Sequence, residues 1–375
     1  MKKIIFLTKI VVLTVLVLAF VCTMFSTVTN AGEKLIKWKM STYWPPIYQL
    51  IEGDKCWHKF VHQVAGDQIQ IKWYPAGSIV PGKQLFDAVA KGTLEVAGEY
   101  GGYWAGKDTA FNLLASYPLG FNFNDYMNWI WQGGGFDLFQ EAYGKFGIFY
   151  LPHTVIPMES GIRSNKPINS IADFKGLKIR ISGKAQGHLL RHMGAAQVSI
   201  SSSEVYQAMQ KGVLDAAESC NPNMDWDLGY GEITKYWCSP GFHQPSSVLG
   251  VMVNKKAWNG LSEDLKAKIL VATQATNTWA FTFYDYTSIE ATQKFLDKGI
   301  KITRLSNEDL RILNKAINKY TLEEAKKNPF FAKVAYSMFK YQKDSYKWHK
   351  IASPYHYAKD PALIPDLDAL KACIK

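Results

Sequence analysis

The chain has 375 residues, enough for two domains, and a formal net charge of +11. Its five cysteines include no CxxC pair and are too few to staple a fold of this size, which speaks against a disulfide scaffold and a thiolate metal site. The positive balance holds no long Lys/Arg block, so nucleic acid is not expected as a partner and the charge reads as that of an exported protein with a high pI.

The chain opens on "MKK", continues into the apolar run "IVVLTVLVLAFVC" (10–22), and leaves it through small and polar residues ending in "TNA" at 29–31. A basic start, a short apolar core and a small-x-small exit predict a secretory signal over residues 1–31, cleaved after Ala31. The core is well short of the ~20 residues a membrane helix needs. Val21 is bulkier than the residue before a lipid-attachment cysteine usually is, so Cys22 is not read as an anchor. Cleavage removes Lys2, Lys3 and Lys9 and leaves Cys56, Cys220, Cys238 and Cys373. One bridge among these is compatible with an oxidising compartment, but spacing cannot pair them. No later apolar run is long enough to span a bilayer.

"LIKWKMSTYW" (35–44) alternates apolar and polar residues as a first strand does, and "YQLIEGDKCWHKFVHQVAG" (48–66) has the pattern of an amphipathic helix that stops at Gly66. "IQIKWYPAG" (69–77) is a second alternating strand, and "PGKQLFDAVAKGTLEVAGEY" (81–100) reads as helix, glycine, strand. This rhythm predicts an α/β sheet with right-handed crossovers. Residues 100–136, rich in Gly and aromatics, are read as a loop. "GGG" at 133–135 lacks the frame of a phosphate loop and reads as a turn, and the lone His153 reads as a satisfied or exposed histidine rather than a ligand.

The rhythm then restarts. "MESGIRSNKPINSIADFKGLKIRISG" (158–183) predicts two strands around an Asp-Phe-Lys-Gly turn, "GKAQGHLLRHMGA" (183–195) a helix, and "AQVSISSSEVYQAMQKGVLDAAES" (196–219) strand, helix, strand. "FDAVAKGTLEVA" (86–97) and "YQAMQKGVLDAA" (206–217) echo one another, each placing a strand after a helix that stops at glycine. Two such units facing each other create a cleft between strand ends. Beyond 245 a returning strand and long helices are expected, with an aromatic, helical tail over 306–350. GxSxG, HExxH, P-loop and dinucleotide fingerprints are all missing. What remains are polar residues at predicted strand ends: Glu159, Arg180, Glu218 and Gln244.

Six collinear stretches carry a resemblance: "GKDTAFNLLASYPLGFN" (106–122), "ADFKGLKIRISG" (172–183), "QAMQKGVLDAAE" (207–218), "SPGFHQP" (239–245), "VNKKAWNGLSED" (253–264) and "NPFFAKVAYSMF" (328–339). Across most of the chain it resembles the solute receptors of tripartite ATP-independent periplasmic (TRAP) transporters, in the branch that binds 2-oxo and 2-hydroxy monocarboxylates. The resemblance implies an α/β, two-lobed periplasmic-binding-protein-like fold with a cleft between the lobes and long C-terminal helices. Residues 32–156 plus about 245–290 would form lobe I. Residues 157–244 plus about 291–375 would form lobe II with the terminal helices. It also implies a periplasmic, non-enzymatic protein, a homodimer, working with membrane permease subunits.

By the same resemblance Arg180, at the end of the "GLKIR" strand, grips the ligand carboxylate with both terminal nitrogens, a strong and directional pairing. A cation, Ca²⁺ or Na⁺, would be held by Glu159, Glu218, the Ser219 carbonyl and Gln244, all oxygen donors as a hard cation wants. Two carboxylates favour Ca²⁺ on charge. Two departures stand out: relatives often carry tryptophan where this chain has Ser219, and asparagine where it has Val155. Loss of the tryptophan removes a wall, so a ligand bulkier or more polar than pyruvate is admitted. Tyr103 and Trp104 are candidates for the opposite wall, Trp104 equally as a core residue. The expected function is capture of a small organic acid with a bound cation. The alternatives are a metal-independent receptor for a sugar acid or sulfonate, and a metal-dependent hydrolase or lyase.

Overall fold

The structure is a computed structural model that describes residues 35–200 and 202–352. The expected signal segment and Cys373 lie outside the described residues. In chain order the strands are β1 (Ile36–Thr42), β2 (Ile69–Trp73), β3 (Val96–Tyr100), β4 (Ile148–Val155), β5 (Ile162–Ser164), β6 (Lys178–Arg180), β7 (Ala196–Val198), β8 (Ala216–Ala217), β9 (Tyr236–Cys238), β10 (Val248–Asn254) and β11 (Lys301–Thr303).

They form two sheets, one per lobe. The first runs β2-β1-β3-β10-β4 and the second β11-β9-β5-β8-β6-β7. In the first, β1 pairs parallel with β2 and β3, while β10 runs antiparallel between β3 and β4. In the second, β6 lies parallel to β7 and β8, and β5 lies antiparallel to β8 and β9. Alternation explains β1 and β2: Trp38, Met40, Ile69 and Ile71 are buried while Lys37, Gln70 and Lys72 face solvent or the rim. Each fully buried large side chain of this kind contributes roughly 1.5–3 kcal/mol.

The chain passes between the sheets three times. It crosses from β4 to β5 through residues 156–161, returns from β9 to β10 through 239–247, and crosses again along the helix Glu263–Asp297. That 35-residue helix is about 52 Å long at 1.5 Å per residue. Ser262 caps its start by accepting the Leu265 N–H at 3.3 Å. Its first half lies on the first sheet, where Trp57 Nε1 donates to Thr273 Oγ1 at 3.0 Å and Asn277 Nδ2 to the Pro152 carbonyl at 2.7 Å. Its far end buries Phe295 in the core of the second lobe with Val205, Tyr230 and Trp237. The helices Asn307–Ala325 and Pro329–Ala352 follow, as expected for the tail.

The segment 100–136 is more ordered than its composition suggested. It holds the helices Ala110–Ala115 and Phe123–Trp131, and a third, Gly135–Gly144, begins at its end. Asn122 and Asp125 form a reciprocal capping box, and Tyr126, Trp129 and Ile130 bury one face of the second helix. The glycines at 133–135 make the turn between helices, with Gly134 at φ 81°. Strands β4, β9 and β11 were not anticipated. The last two have three residues each, too few to display a period. His153 is a buried partner of Asp54, with Nε2 2.9 Å from Oδ1. Cys56, Cys220 and Cys238 are buried free thiols.

Candidate functional site

The four strand-end residues come together where the chain crosses between the sheets. Glu159 lies on the first crossing and Gln244 on the second. Arg180 ends β6, and Glu218 follows β8. Since β6 and β8 are neighbours and parallel, with Arg180 opposite Ala217, their C-terminal ends place Arg180 and Glu218 side by side. All four are buried.

Arg180 Nη1 donates to the Glu218 carbonyl oxygen at 2.9 Å and to Glu218 Oε1 at 2.7 Å, and Nε donates to the Ile200 carbonyl at 3.3 Å. Among the described residues Nη2 has no acceptor. The Ser182 N–H donates to Glu218 Oε1 at 2.8 Å, while Oε2 accepts no hydrogen bond and has His243 Nε2 at 3.8 Å. Glu159 Oε1 accepts from Ser247 Oγ at 2.7 Å. Gln244 Nε2 donates to the Tyr100 hydroxyl at 3.0 Å, and its Oε1 accepts from Ser182 Oγ at 3.3 Å. Ser182 thus touches both Glu218 and Gln244.

The two carboxyl groups titrate in opposite directions. Burial pushes Glu159 well above the ordinary range, and the nearby Glu218 charge pushes it further. Burial acts on Glu218 in the same sense but is outweighed by the Arg180 guanidinium, with help from His243 and the Ser182 N–H, so its value falls. Glu218 is the ionised member of the pair and Glu159 resists ionisation beside it.

Arg180, Glu159, Ser219, Gln244, Ser182 and Tyr103 line one partly open cavity of about 30 Å³, room for one or two waters at roughly 10–15 Å³ each. Glu218 backs it through Arg180. Tyr103 meets Tyr43 at a ring-centroid distance of 4.6 Å and Tyr100 edge-on at 5.2 Å. Trp104, its neighbour, is not on this lining. Its indole Nε1 donates to Glu99 inside the first lobe and its ring lies 5.2 Å from that of Phe86. Sequence reasoning did not single out Trp44, Tyr48, Tyr100 and Ser247, which also line the cavity. Tyr100 ends β3 and Ser247 precedes β10, so the strand-end criterion that found Arg180 applies to both. Trp44 and Tyr48 follow β1 in an irregular segment and carry no such signal.

The donor set suits a hard cation in kind. Two carboxylates, an amide oxygen and a peptide carbonyl are all oxygen ligands. Glu218 Oε2 is a buried acceptor without a hydrogen bond, and the mutual repulsion of the carboxyl groups is what a cation between them relieves. Among the described residues no three His, Cys, Asp or Glu side chains cluster as a metal site.

Two α/β lobes joined by three crossings, with a buried guanidinium and oxygen donors converging between them, define a two-lobed solute receptor. The chain belongs to the bacterial extracellular solute-binding protein family 7, whose model matches residues 40–328. It is 30% identical over 331 residues to the monocarboxylate 2-oxoacid-binding periplasmic protein of Nostoc sp., covering 88% of this chain and 91% of the relative. Among solved structures, a TRAP transporter solute-binding protein from Bordetella bronchiseptica, with copurified calcium and picolinate in one site of a mixed-occupancy dimer, superposes with a TM-score of 0.80. It is 29% identical and the match covers 91% of this chain and 99% of that one. A TRAP periplasmic solute-binding protein from Pseudoalteromonas atlantica with bound sodium and pyruvate matches at TM-score 0.79 and 27% identity, over 85% of this chain and 97% of that one.

Proposed function

We propose that this protein captures a 2-oxo or 2-hydroxy monocarboxylate together with Ca²⁺ or Na⁺ between its lobes and delivers it to the membrane subunits of a TRAP transporter. The observation that carries this reading is the convergence of Arg180 with Glu159, Gln244 and Ser219 on one cavity. Arg180 neutralises the ligand carboxylate through Nη2 and, by sharing, Nη1. Glu159, Glu218, Gln244 and the Ser219 carbonyl hold the cation, which when bound supplies positive charge for the 2-oxo or 2-hydroxy oxygen. Tyr103 closes the opposite wall and presents its hydroxyl to a ligand oxygen. Burial strengthens each of these contacts by excluding water.

Within the same reading, residues 1–31 are the cleaved signal that places the protein in the periplasm. The first sheet with residues 32–156 and about 245–290 forms lobe I, and residues 157–244 with about 291–375 form lobe II and its helices. The working unit is a homodimer, as in the calcium–picolinate relative. The rival, a metal-independent receptor for a sugar acid or sulfonate, is separated by isothermal titration of chelator-treated protein with pyruvate, repeated with Ca²⁺ or Na⁺ restored. Restored cation is expected to tighten binding by roughly tenfold or more, about 1.4 kcal/mol per tenfold. Arg180→Ala is expected to weaken it by about 2–5 kcal/mol with unchanged far-UV circular dichroism. Equal pyruvate affinity in chelator removes the cation from the site, and undiminished binding by Arg180→Ala removes the carboxylate grip.

A further inference from the structure

Behind the cavity, in lobe II, lies a second pair of buried opposite charges that contacts no ligand space. Arg163 on β5 and Asp225 in the helix Pro222–Asp227 are both fully buried, with Arg163 Nε donating to Asp225 Oδ2 at 2.8 Å. The guanidinium carbon sits 3.8 Å from the centroid of Trp237 and 3.9 Å from that of Phe295. Its Nη1 and Nη2 have no hydrogen-bond acceptor, so the two ring faces are what stabilise its terminal nitrogens. Phe295 belongs to the helix that crosses between the lobes.

Asp225 has further partners, and their positions in the chain are the point. Ser160 Oγ lies within hydrogen-bond reach of Asp225 Oδ2, and the Cys220 N–H donates to Oδ1 at 3.4 Å. Ser160 immediately follows Glu159, and Cys220 immediately follows Ser219. The two loops are also joined directly, Ser160 N–H to the Cys220 carbonyl at 2.8 Å, and Trp237 Nε1 donates to the Ser160 carbonyl at 2.5 Å. Apart from Arg163, the groups that the Asp225 carboxylate meets, on Ser160 and Cys220, each lie one residue from a proposed cation donor.

We infer that Asp225, anchored by Arg163, is a positioning residue that holds the Glu159–Ser160 and Ser219–Cys220 loops at the separation the cation site requires. This inference rests on the reading of the cavity given under Proposed function. The need for such a tie is geometric. The Glu159 carboxyl group is held by Ser247 and that of Glu218 by Arg180 and Ser182, so neither side chain sets the distance between the two loops. Asp225 meets both loops, one on each carboxylate oxygen, and the Arg163 clamp between two aromatic rings keeps that carboxylate fixed. Groups that orient metal ligands without touching the metal commonly change affinity by 10–100-fold when altered.

The test uses the whole chain and two variants. Ser160→Ala removes the hydroxyl that reaches Asp225 and also the Cys220 carbonyl, at 2.8 Å, and leaves the Arg163–Asp225 pair intact; Asp225→Asn keeps the shape and the Ser160–Cys220 bonds and removes the charge. Calcium alone and calcium with pyruvate are titrated calorimetrically into each, and thermal unfolding is followed without cation. The expected result for both variants, and decisively for Asp225→Asn, is a loss of calcium affinity of roughly tenfold, a parallel loss for pyruvate in calcium, and an unchanged pyruvate affinity in chelator. A lowered Tm with wild-type calcium and pyruvate affinities in both variants overturns the inference and leaves a purely structural ion pair. Wild-type protein that binds neither calcium nor pyruvate overturns the reading of the cavity and this inference with it.

Discussion

Glu218 uses its two oxygens unequally: Oε1 takes the Arg180 guanidinium and the Ser182 N–H, and Oε2 takes no hydrogen bond. A second buried glutamate, Glu99, shows the contrasting case. It lies on β3 inside the first lobe with no positive partner, only the Tyr143 hydroxyl at 2.8 Å and the Trp104 indole. Burial raises it to about 8, against the hydrogen bonds from Tyr143 and Trp104 that favour the charged form. Its value in the unfolded chain is the ordinary 4.5. Between those two values the folded protein keeps a proton that the unfolded chain has released, so raising the pH favours unfolding. The contribution is fully present below about pH 4.5 and is gone above about pH 8, with a slope approaching about 1.4 kcal/mol per pH unit between them. Glu99→Gln, neutral at every pH, is therefore expected to show a flatter stability profile from pH 5 to 8 than the wild type in urea unfolding. Parallel profiles would mean that Glu99 is ionised in the fold. The same neighbourhood shows what sequence can and cannot reveal at this scale. Arg180 and Glu218 stood out as polar residues at the ends of short strands, whereas Glu159 and Gln244, also read as strand-end residues, lie on the crossings between the sheets. Tyr103 and Trp104 were not separable, because the 3₁₀ turn Gly101–Trp104 breaks the alternation that assigns faces, sending one ring to the cavity and the other to Glu99.

The echo between residues 86–97 and 206–217 turns out to be one local structure used twice. In the first copy the Thr93 N–H donates to the Ala88 carbonyl at 2.8 Å and the Gly92 N–H to Val89 at 3.0 Å; in the second, Val213 donates to Ala208 at 2.9 Å and Gly212 to Met209 at 3.1 Å. Gly92 and Gly212 take the left-handed φ values of 76° and 71° that such a helix end requires. Each turn aims the following strand, β3 or β8, at the rim where Tyr100 or Glu218 sits. A methyl group built on Gly212 meets nothing within 4 Å, so Gly212→Ala isolates the backbone cost. The expected loss is about 1–2 kcal/mol, read as a lower urea midpoint at unchanged m-value. No loss would show that the turn is not held in this conformation. Gly98→Ala differs in kind, because its Cβ would fall 1.9 Å from Asp54 Oδ2. At this scale the sequence displayed the long helices and the alternating strands well. It hid the segment 100–136, where aromatic residues that read as loop are the buried faces of the helices between Ala110 and Gly144.

On the scale of the whole molecule, three crossings connect the two sheets and the cavity lies between them. The cavity is small because Arg180 pairs with Glu218 while Tyr100, on the opposite lobe, reaches Gln244. Carboxylate and cation together add contacts that exist only when both lobes bear on the same space, and a ligand moves such an equilibrium only through contacts that differ between its two states. Closure should therefore need both. Small-angle scattering is expected to give a smaller radius of gyration with calcium and pyruvate present than with either alone, and no change for Arg180→Ala. The same pair at a hundred times its dissociation constant is expected to stabilise the fold by about 2.7 kcal/mol. A radius that shrinks equally with pyruvate in chelator would assign closure to the guanidinium alone. A radius that never changes while binding is measured would mean that the lobes form one rigid body and that the ligand enters through the Tyr43–Tyr103 wall.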